Sequence, residues 1–130
     1  NLSYLKGVVS IFKSNGIRTS IFVDPYPEMI YYAAESGCDR VELYTEAYAS
    51  GYSDNREMAI EPYYKTALAV KEAGLGLNAG HDLNLENLNY FARTIPWLDE
   101  VSIGHALICD SIYLGLENTI QSYLRQLNNY

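Results

Sequence analysis

The chain has 130 residues, 48% of them apolar and 19% charged, with 9 Lys and Arg against 16 Asp and Glu for a net charge of -7. This length suits one domain and not two, the apolar share excludes a disordered chain, and a pI near 4.7 excludes a surface that wraps nucleic acid, which needs a basic stripe. No apolar run reaches the roughly 20 residues that cross a bilayer, and the opening Asn1-Leu2-Ser3-Tyr4 is unlike a signal peptide, so the reading is a soluble protein with no membrane partner.

The spacing of Leu5, Val8, Val9 and Phe12 predicts a helix over residues 4–13, stopped at Ser14-Asn15-Gly16. A first strand follows over Arg18 to Val23. Pro27 suits the first turn of a helix that buries Ile30, Ala33 and Ala34 and stops at Gly37. The second strand is Arg40 to Tyr44. Polar residues and Gly51 predict a loop from Thr45 to about Asn55, followed by a helix from about Glu57 to Ala73 with Pro62 in its first turns or at a kink. Leu75 to Asn78 forms the third strand. Asn84 can cap a helix that buries Leu85, Leu88 and Phe91 and ends before Pro96. Glu100 to Ile103 forms the fourth strand, and Leu116, Ile120, Tyr123, Leu124 and Leu127 mark a final helical stretch.

Four strand-then-helix units after an opening helix favour parallel strands joined by right-handed crossovers. Two α/β architectures compete, a doubly wound open sheet and half of an eight-stranded barrel. One strand parity carries Val41, Leu43, Leu75, Leu77, Val101 and Ile103, while the other carries Glu42, Tyr44, Gly76, Asn78, Ser102 and Gly104. A doubly wound sheet is apolar on both faces; a barrel wall can turn small or polar toward its active end, so the alternation favours the barrel. The chain opens inside a helix at a residue that is not an initiator, and four units cannot close a barrel of eight. It therefore reads as the second half of a longer protein, a single domain fragment over residues 1–130.

Reactive groups of α/β barrels gather where strands end, which here means Asp24, Glu42 with Thr45, Asn78 to His81, and Gly104 with His105. Both histidines of the chain fall in this set, each directly after a glycine that follows a strand. Glycine there admits close backbone approach or a positive φ, and imidazole moves protons near neutral pH. The plain alternative is a histidine hydrogen-bonded at a loop edge. Glu42 lies mid-strand on the interior parity, where a carboxylate is costly unless paired or functional; a salt bridge to Arg18 or Arg40 is the structural alternative. Gly104-His105-Ala106 opening a helix resembles an anion seat, against a plain turn. Cys38 and Cys109 stand apart without C-x-x-C or a ligating His nearby, which implies reduced thiols, no metal site and a cytoplasmic location. Tyrosine dominates the aromatics, 13 against 3 Phe and 1 Trp, and Tyr31-Tyr32 and Tyr63-Tyr64 read as packing or subunit contacts.

Four segments, GIRTSIFVD at Gly16–Asp24, VELYTEAYA at Val41–Ala49, LGLNAGHDL at Leu75–Leu83 and VSIGHALI at Val101–Ile108, together resemble the C-terminal half of the pyridoxine 5'-phosphate synthases. The likeness runs from about residue 5 to residue 125, and N-A-G-H followed by I-G-H-A is its specific pair. It implies a TIM (β/α)8 barrel enzyme of vitamin B6 biosynthesis, present here only as its C-terminal half. Such an enzyme condenses 3-amino-2-oxopropyl phosphate with 1-deoxy-D-xylulose 5-phosphate to pyridoxine 5'-phosphate, phosphate and water, without a metal or organic cofactor. His81 matches the family's proton donor and Glu42 its transition-state stabiliser. Asp82, Gly104 and His105 match the binding site for the amino-oxopropyl phosphate. The resemblance also implies a cytoplasmic homo-oligomer, an octamer in the family, whose partners are small phosphorylated substrates. Asp82 stands where many relatives carry Gly, and Cys109-Asp110 replaces a Gly-Arg. A basic histidine, a second glutamate and substrate-binding arginines belong to the family's first half, so this chain alone is expected to lack turnover. The alternative is a noncatalytic half-barrel module that binds a phosphorylated metabolite or a partner subunit.

Overall fold

A computed structural model describes residues 1–128; the last two positions of the 1–130 domain reading lie outside the described residues. Its elements alternate as expected: α1 (Leu2–Ser14), β1 (Ser20–Val23), α2 (Pro27–Ser36), β2 (Arg40–Leu43), α3 (Glu46–Glu72), β3 (Gly76–Gly80), α4 (Leu88–Thr94), β4 (Glu100–Ser102), α5 (His105–Leu114) and α6 (Leu116–Asn128). Asn1 caps α1 by accepting from the Tyr4 N–H at 3.4 Å, and Pro27 opens α2 where no intrahelical N–H is needed. Asn84 accepts from the N–H groups of Glu86 and Asn87 at 2.9 and 3.2 Å, so it caps the turn that leads into α4.

The strands form one parallel sheet in chain order, β1-β2-β3-β4. The register aligns Ile21 with Val41 and Leu77, and Val23 with Leu43, Ala79 and Val101. Val41, Leu43 and Ala79 of this row are 0% exposed. The core is completed by Ile30 and Ala33 of α2, Ile60, Tyr63, Ala67 and Val70 of α3, Leu88 and Phe91 of α4, and Tyr123 of α6. Each fully buried Val, Leu or Phe contributes on the order of 1.5–3 kcal/mol, so this apolar row is what holds the helices to the sheet. The opposite row, Phe22, Glu42, Asn78 and Glu100, is not sealed, since Phe22 at its edge remains 56% exposed. The two strand parities thus differ: one row is sealed under the helices, and the other carries Glu42, the buried Asn78 and Glu100 beside an exposed Phe22.

One expected element is corrected. The stretch from Thr45 to about Asn55, read as loop, is helical over residues 46–54, and α3 consists of two helical segments that meet at a break at Asn55, where φ is -159° and ψ 94°. Asn55 starts the second segment, its Oδ1 accepting from the Met58 N–H at 3.0 Å. The polar residues that suggested a loop are the solvent side of a helix whose inner side is Tyr48, fully buried against Tyr63 and Phe91. Gly51 lets the two segments approach, because a Cβ there would sit 3.3 Å from that of Ala59. Among the described residues no helix is long and apolar enough to cross a membrane.

Candidate active site

The C-terminal ends of β2, β3 and β4 bring the expected site residues together. Glu42 lies on the open face of β2, in register with Asn78 of β3. Its alternative reading, a salt bridge to Arg18 or Arg40, does not hold. Arg18 pairs with Glu100 at 2.9 Å, and Arg40 pairs with Asp99 at 3.3 Å and reaches the Asn78 Oδ1 at 3.1 Å. Asn78 passes the chain on, donating through Nδ2 to Glu100 at 3.2 Å. Glu42 is left half-buried without an ion pair among the described residues. Burial pushes its carboxyl pKa up, the Glu100 charge pushes the same way, and His81 opposes both.

His81 and His105 face each other edge to face with ring centroids 5.9 Å apart. The two Gly-His pairs are built differently, however. Positive φ falls on His81 itself, at 60°, and on neither preceding glycine. Gly80 is needed for close approach, since a Cβ there would collide with the Ser102 backbone, whereas nothing lies within 4 Å of one at Gly104. The His81 N–H donates to the Ser102 carbonyl at 2.6 Å, which ties the turn to β4.

Asp82 does not turn away into solvent. Its Oδ1 sits 3.2 Å from His81 Nδ1, and its N–H is engaged by the Gly80 carbonyl at 2.8 Å and by Thr45 Oγ1 at 3.2 Å. With Nδ1 held by the carboxylate, Nε2 is the ring nitrogen left for other partners. The donors left for an anion are then those of the first turn of α5, whose N-cap Gly104 supplies no side-chain bond. Asp110, which stands where the family's arginine was expected, accepts from the Tyr123 hydroxyl at 2.8 Å and so fastens α6 to α5.

Sequence reasoning placed Thr45 at this rim without a task and read Tyr63 only as packing. Thr45 is fully buried, its hydroxyl donates to the Gly80 carbonyl, and the Tyr63 hydroxyl donates to the Tyr44 carbonyl at 2.9 Å. A Thr at the end of a strand and just ahead of a helix was the available signal; the 35-residue reach of its bond was not readable. Among the described residues no group of three His, Cys, Asp or Glu is arranged to hold a metal ion.

Parallel strands in chain order, alternating with helices and carrying polar groups at their carboxyl ends, define an α/β protein. The chain belongs to the family described as pyridoxal phosphate biosynthesis protein PdxJ, whose model matches residues 1–129. It is 61% identical over 125 residues to the pyridoxine 5'-phosphate synthase of Cytophaga hutchinsonii, covering 96% of this chain and 52% of that relative. The synthase of Bacteroides thetaiotaomicron is 60% identical over 123 residues, covering 95% and 52%, and that of Parabacteroides distasonis 56% over 129 residues, covering 99% and 54%. The chain thus spans about half the length of the curated relatives it matches.

Proposed function

We propose that this chain supplies one arc of the active site of a pyridoxine 5'-phosphate synthase, which condenses 3-amino-2-oxopropyl phosphate with 1-deoxy-D-xylulose 5-phosphate to pyridoxine 5'-phosphate, phosphate and water. The observation that carries it is the meeting of His81 and His105 at 5.9 Å above the unpaired carboxyl of Glu42. His81 is the proton donor. Asp82 lies 3.2 Å from its Nδ1, and with both ring nitrogens protonated the imidazolium gives its Nε2 proton to the leaving oxygen while Nδ1–H stays on the carboxylate. Glu42 stabilises positive charge that develops as the amine condenses, and its partial burial strengthens that interaction. Gly104 and His105 receive the substrate phosphate at the N-terminus of α5, while Asp82 borders that site through its backbone. No metal ion or organic cofactor enters this chemistry.

The reading extends to architecture. The chain-order parallel sheet with one open polar face supports half of a TIM (β/α)8 barrel, the open row being its inner wall. Exposed tyrosines, including Tyr31 at 68% and Tyr113 at 88%, support homo-oligomeric contacts. Free Cys38 and Cys109 fit a cytoplasmic setting. The test is formation of pyridoxine 5'-phosphate by the full-length gene product and its His81→Asn and Glu42→Gln variants. A fall of roughly hundredfold or more is expected for His81→Asn, the scale of a lost general acid. A wild-type rate in that variant overturns the assignment, and substrate binding without turnover in the unaltered protein supports a noncatalytic module instead.

A further inference from the structure

We infer that Thr45 and Tyr63 are a positioning pair for His81: the Tyr63 hydroxyl takes over the cap of α3, and the Thr45 hydroxyl, released from that duty, clamps the turn that carries the histidine. The inference rests on the reading of His81 as proton donor.

Thr45 occupies the N-cap of α3, yet makes no side-chain capping bond. A threonine there ordinarily turns its hydroxyl back to accept the N–H two or three residues on. The third N–H, that of Tyr48, is already taken, because it donates to the Tyr63 hydroxyl at 3.2 Å. That hydroxyl in turn donates to the Tyr44 carbonyl at 2.9 Å, so one buried oxygen closes the strand end and the helix start together. Burial pushes the Tyr63 pKa up to about 12, which keeps its proton in place for this bond. The break at Asn55 makes the geometry available, since it lets the second segment of α3 return Tyr63 beside the first.

With the cap supplied, the fully buried Thr45 hydroxyl crosses to β3. It donates to the Gly80 carbonyl and accepts from the Asp82 N–H at 3.2 Å, gripping the residues on both sides of His81. His81 between them holds φ at 60°, a region that a residue with a side chain keeps only when its surroundings fix it. Its own N–H is fixed from the other side by the Ser102 carbonyl at 2.6 Å. The turn that carries the imidazole is therefore held by the Thr45 hydroxyl at the head of α3 and by the Ser102 carbonyl of β4, and of the two only Thr45 acts through a side chain.

The experiment compares Thr45→Ser, Thr45→Val, Tyr63→Phe and the Thr45→Val/Tyr63→Phe double variant in the full-length gene product, with His81→Asn as reference, by kcat and KM for pyridoxine 5'-phosphate formation. Thr45→Val is expected to lower kcat about ten- to hundredfold, the scale of a misplaced catalytic group, with KM within about twofold; Thr45→Ser restores most of the rate. Tyr63→Phe lowers kcat as well, because the Thr45 hydroxyl turns back to the Tyr48 N–H, and the double variant is no slower than Thr45→Val alone. A wild-type kcat in Thr45→Val beside an inactive His81→Asn overturns the clamp and leaves the acid reading intact. An active His81→Asn overturns both, and multiplicative losses in the double variant overturn the pairing. If Thr45→Val does not fold, hydrogen exchange at the Asp82 N–H in Tyr63→Phe decides: a rise of about tenfold supports the clamp, and an unchanged rate overturns it.

Discussion

Alanine at Gly80 and at Gly104 should part company, although the two glycines look alike in the sequence. An added Cβ at Gly80 meets the backbone of Ser102, and no flexible side chain is there to yield. Relief requires β4 to move off β3, which breaks the bond from the His81 N–H to the Ser102 carbonyl and loosens the Thr45 bond to the Gly80 carbonyl. Overpacking costs about 1–3 kcal/mol and an orphaned donor about 1–3 kcal/mol more, so Gly80→Ala is expected to lose roughly 2–6 kcal/mol. At Gly104 φ is -109°, outside the left-handed region that favours glycine, and no atom lies within 4 Å of the added Cβ, so Gly104→Ala is expected to lose less than about 1 kcal/mol. Equilibrium urea unfolding followed by circular dichroism reads both, as midpoint shifts at constant slope. Gly104→Ala should nonetheless raise KM for the amino-oxopropyl phosphate, since its methyl group narrows the approach to the α5 N-terminus. Equal stabilities for the two variants would refute the argument that close strand approach is what Gly80 provides.

Three further outcomes are expected. Tyr48→Phe removes the bond from a fully buried hydroxyl to the Asn87 carbonyl, 2.7 Å long, and should cost about 1–3 kcal/mol in the same unfolding assay. Glu42→Gln should stabilise the fold at neutral pH: a carboxyl whose pKa is raised on folding opposes folding above that pKa. The advantage should vanish as pH falls below the ordinary glutamate value of 4.5, while activity is lost at every pH. Asp39, held down to about 2 first by Lys13 and then by the Thr19 N–H and hydroxyl, stabilises in the opposite sense. Its contribution is fully present above the ordinary value of 3.8 and disappears as pH falls through about 2, so Asp39→Asn should flatten the acid limb of a stability-against-pH curve.

The order of elements was legible because apolar spacing switches cleanly between helix and strand, and because Pro27 and Gly37 mark an entry and an exit that the backbone obeys. The strand parities foretold which face of the sheet would carry the apolar core, as fully buried Val41 against its half-buried neighbour Glu42 shows. The stretch from Thr45 to Asn55 was misread because its helix is polar on all but one side and is anchored by Tyr48, whose hydrogen-bond partners are 15 and 39 residues away. Local pattern carries no trace of such distant satisfaction. The same limit hid that His81, not Gly80, takes the positive φ, and that Gly80 instead serves the close approach to Ser102.

The polar face of the sheet divides along the strand direction, and the division gives the site its meaning. At the amino ends charges are matched: Lys13 with Asp39 at 2.8 Å, Arg18 with Glu100, and Arg40 with Asp99 and Glu100, with Asn78 linking Arg40 to Glu100. Partly exposed pairs of this kind contribute little each, but they occupy both arginines that could have neutralised Glu42. Glu42, in register with Asn78 and Glu100, is the carboxyl of that row left without an ion pair among the described residues, and beyond it at the carboxyl ends lie two facing imidazoles and a helix start without a side-chain cap. Charge placed so as to remain unmatched destabilises a fold, and the cost is borne where a substrate can supply the missing partner. On the function proposed above, a phosphate at the α5 N-terminus and an amine gaining positive charge beside Glu42 complement what this end of the sheet leaves open.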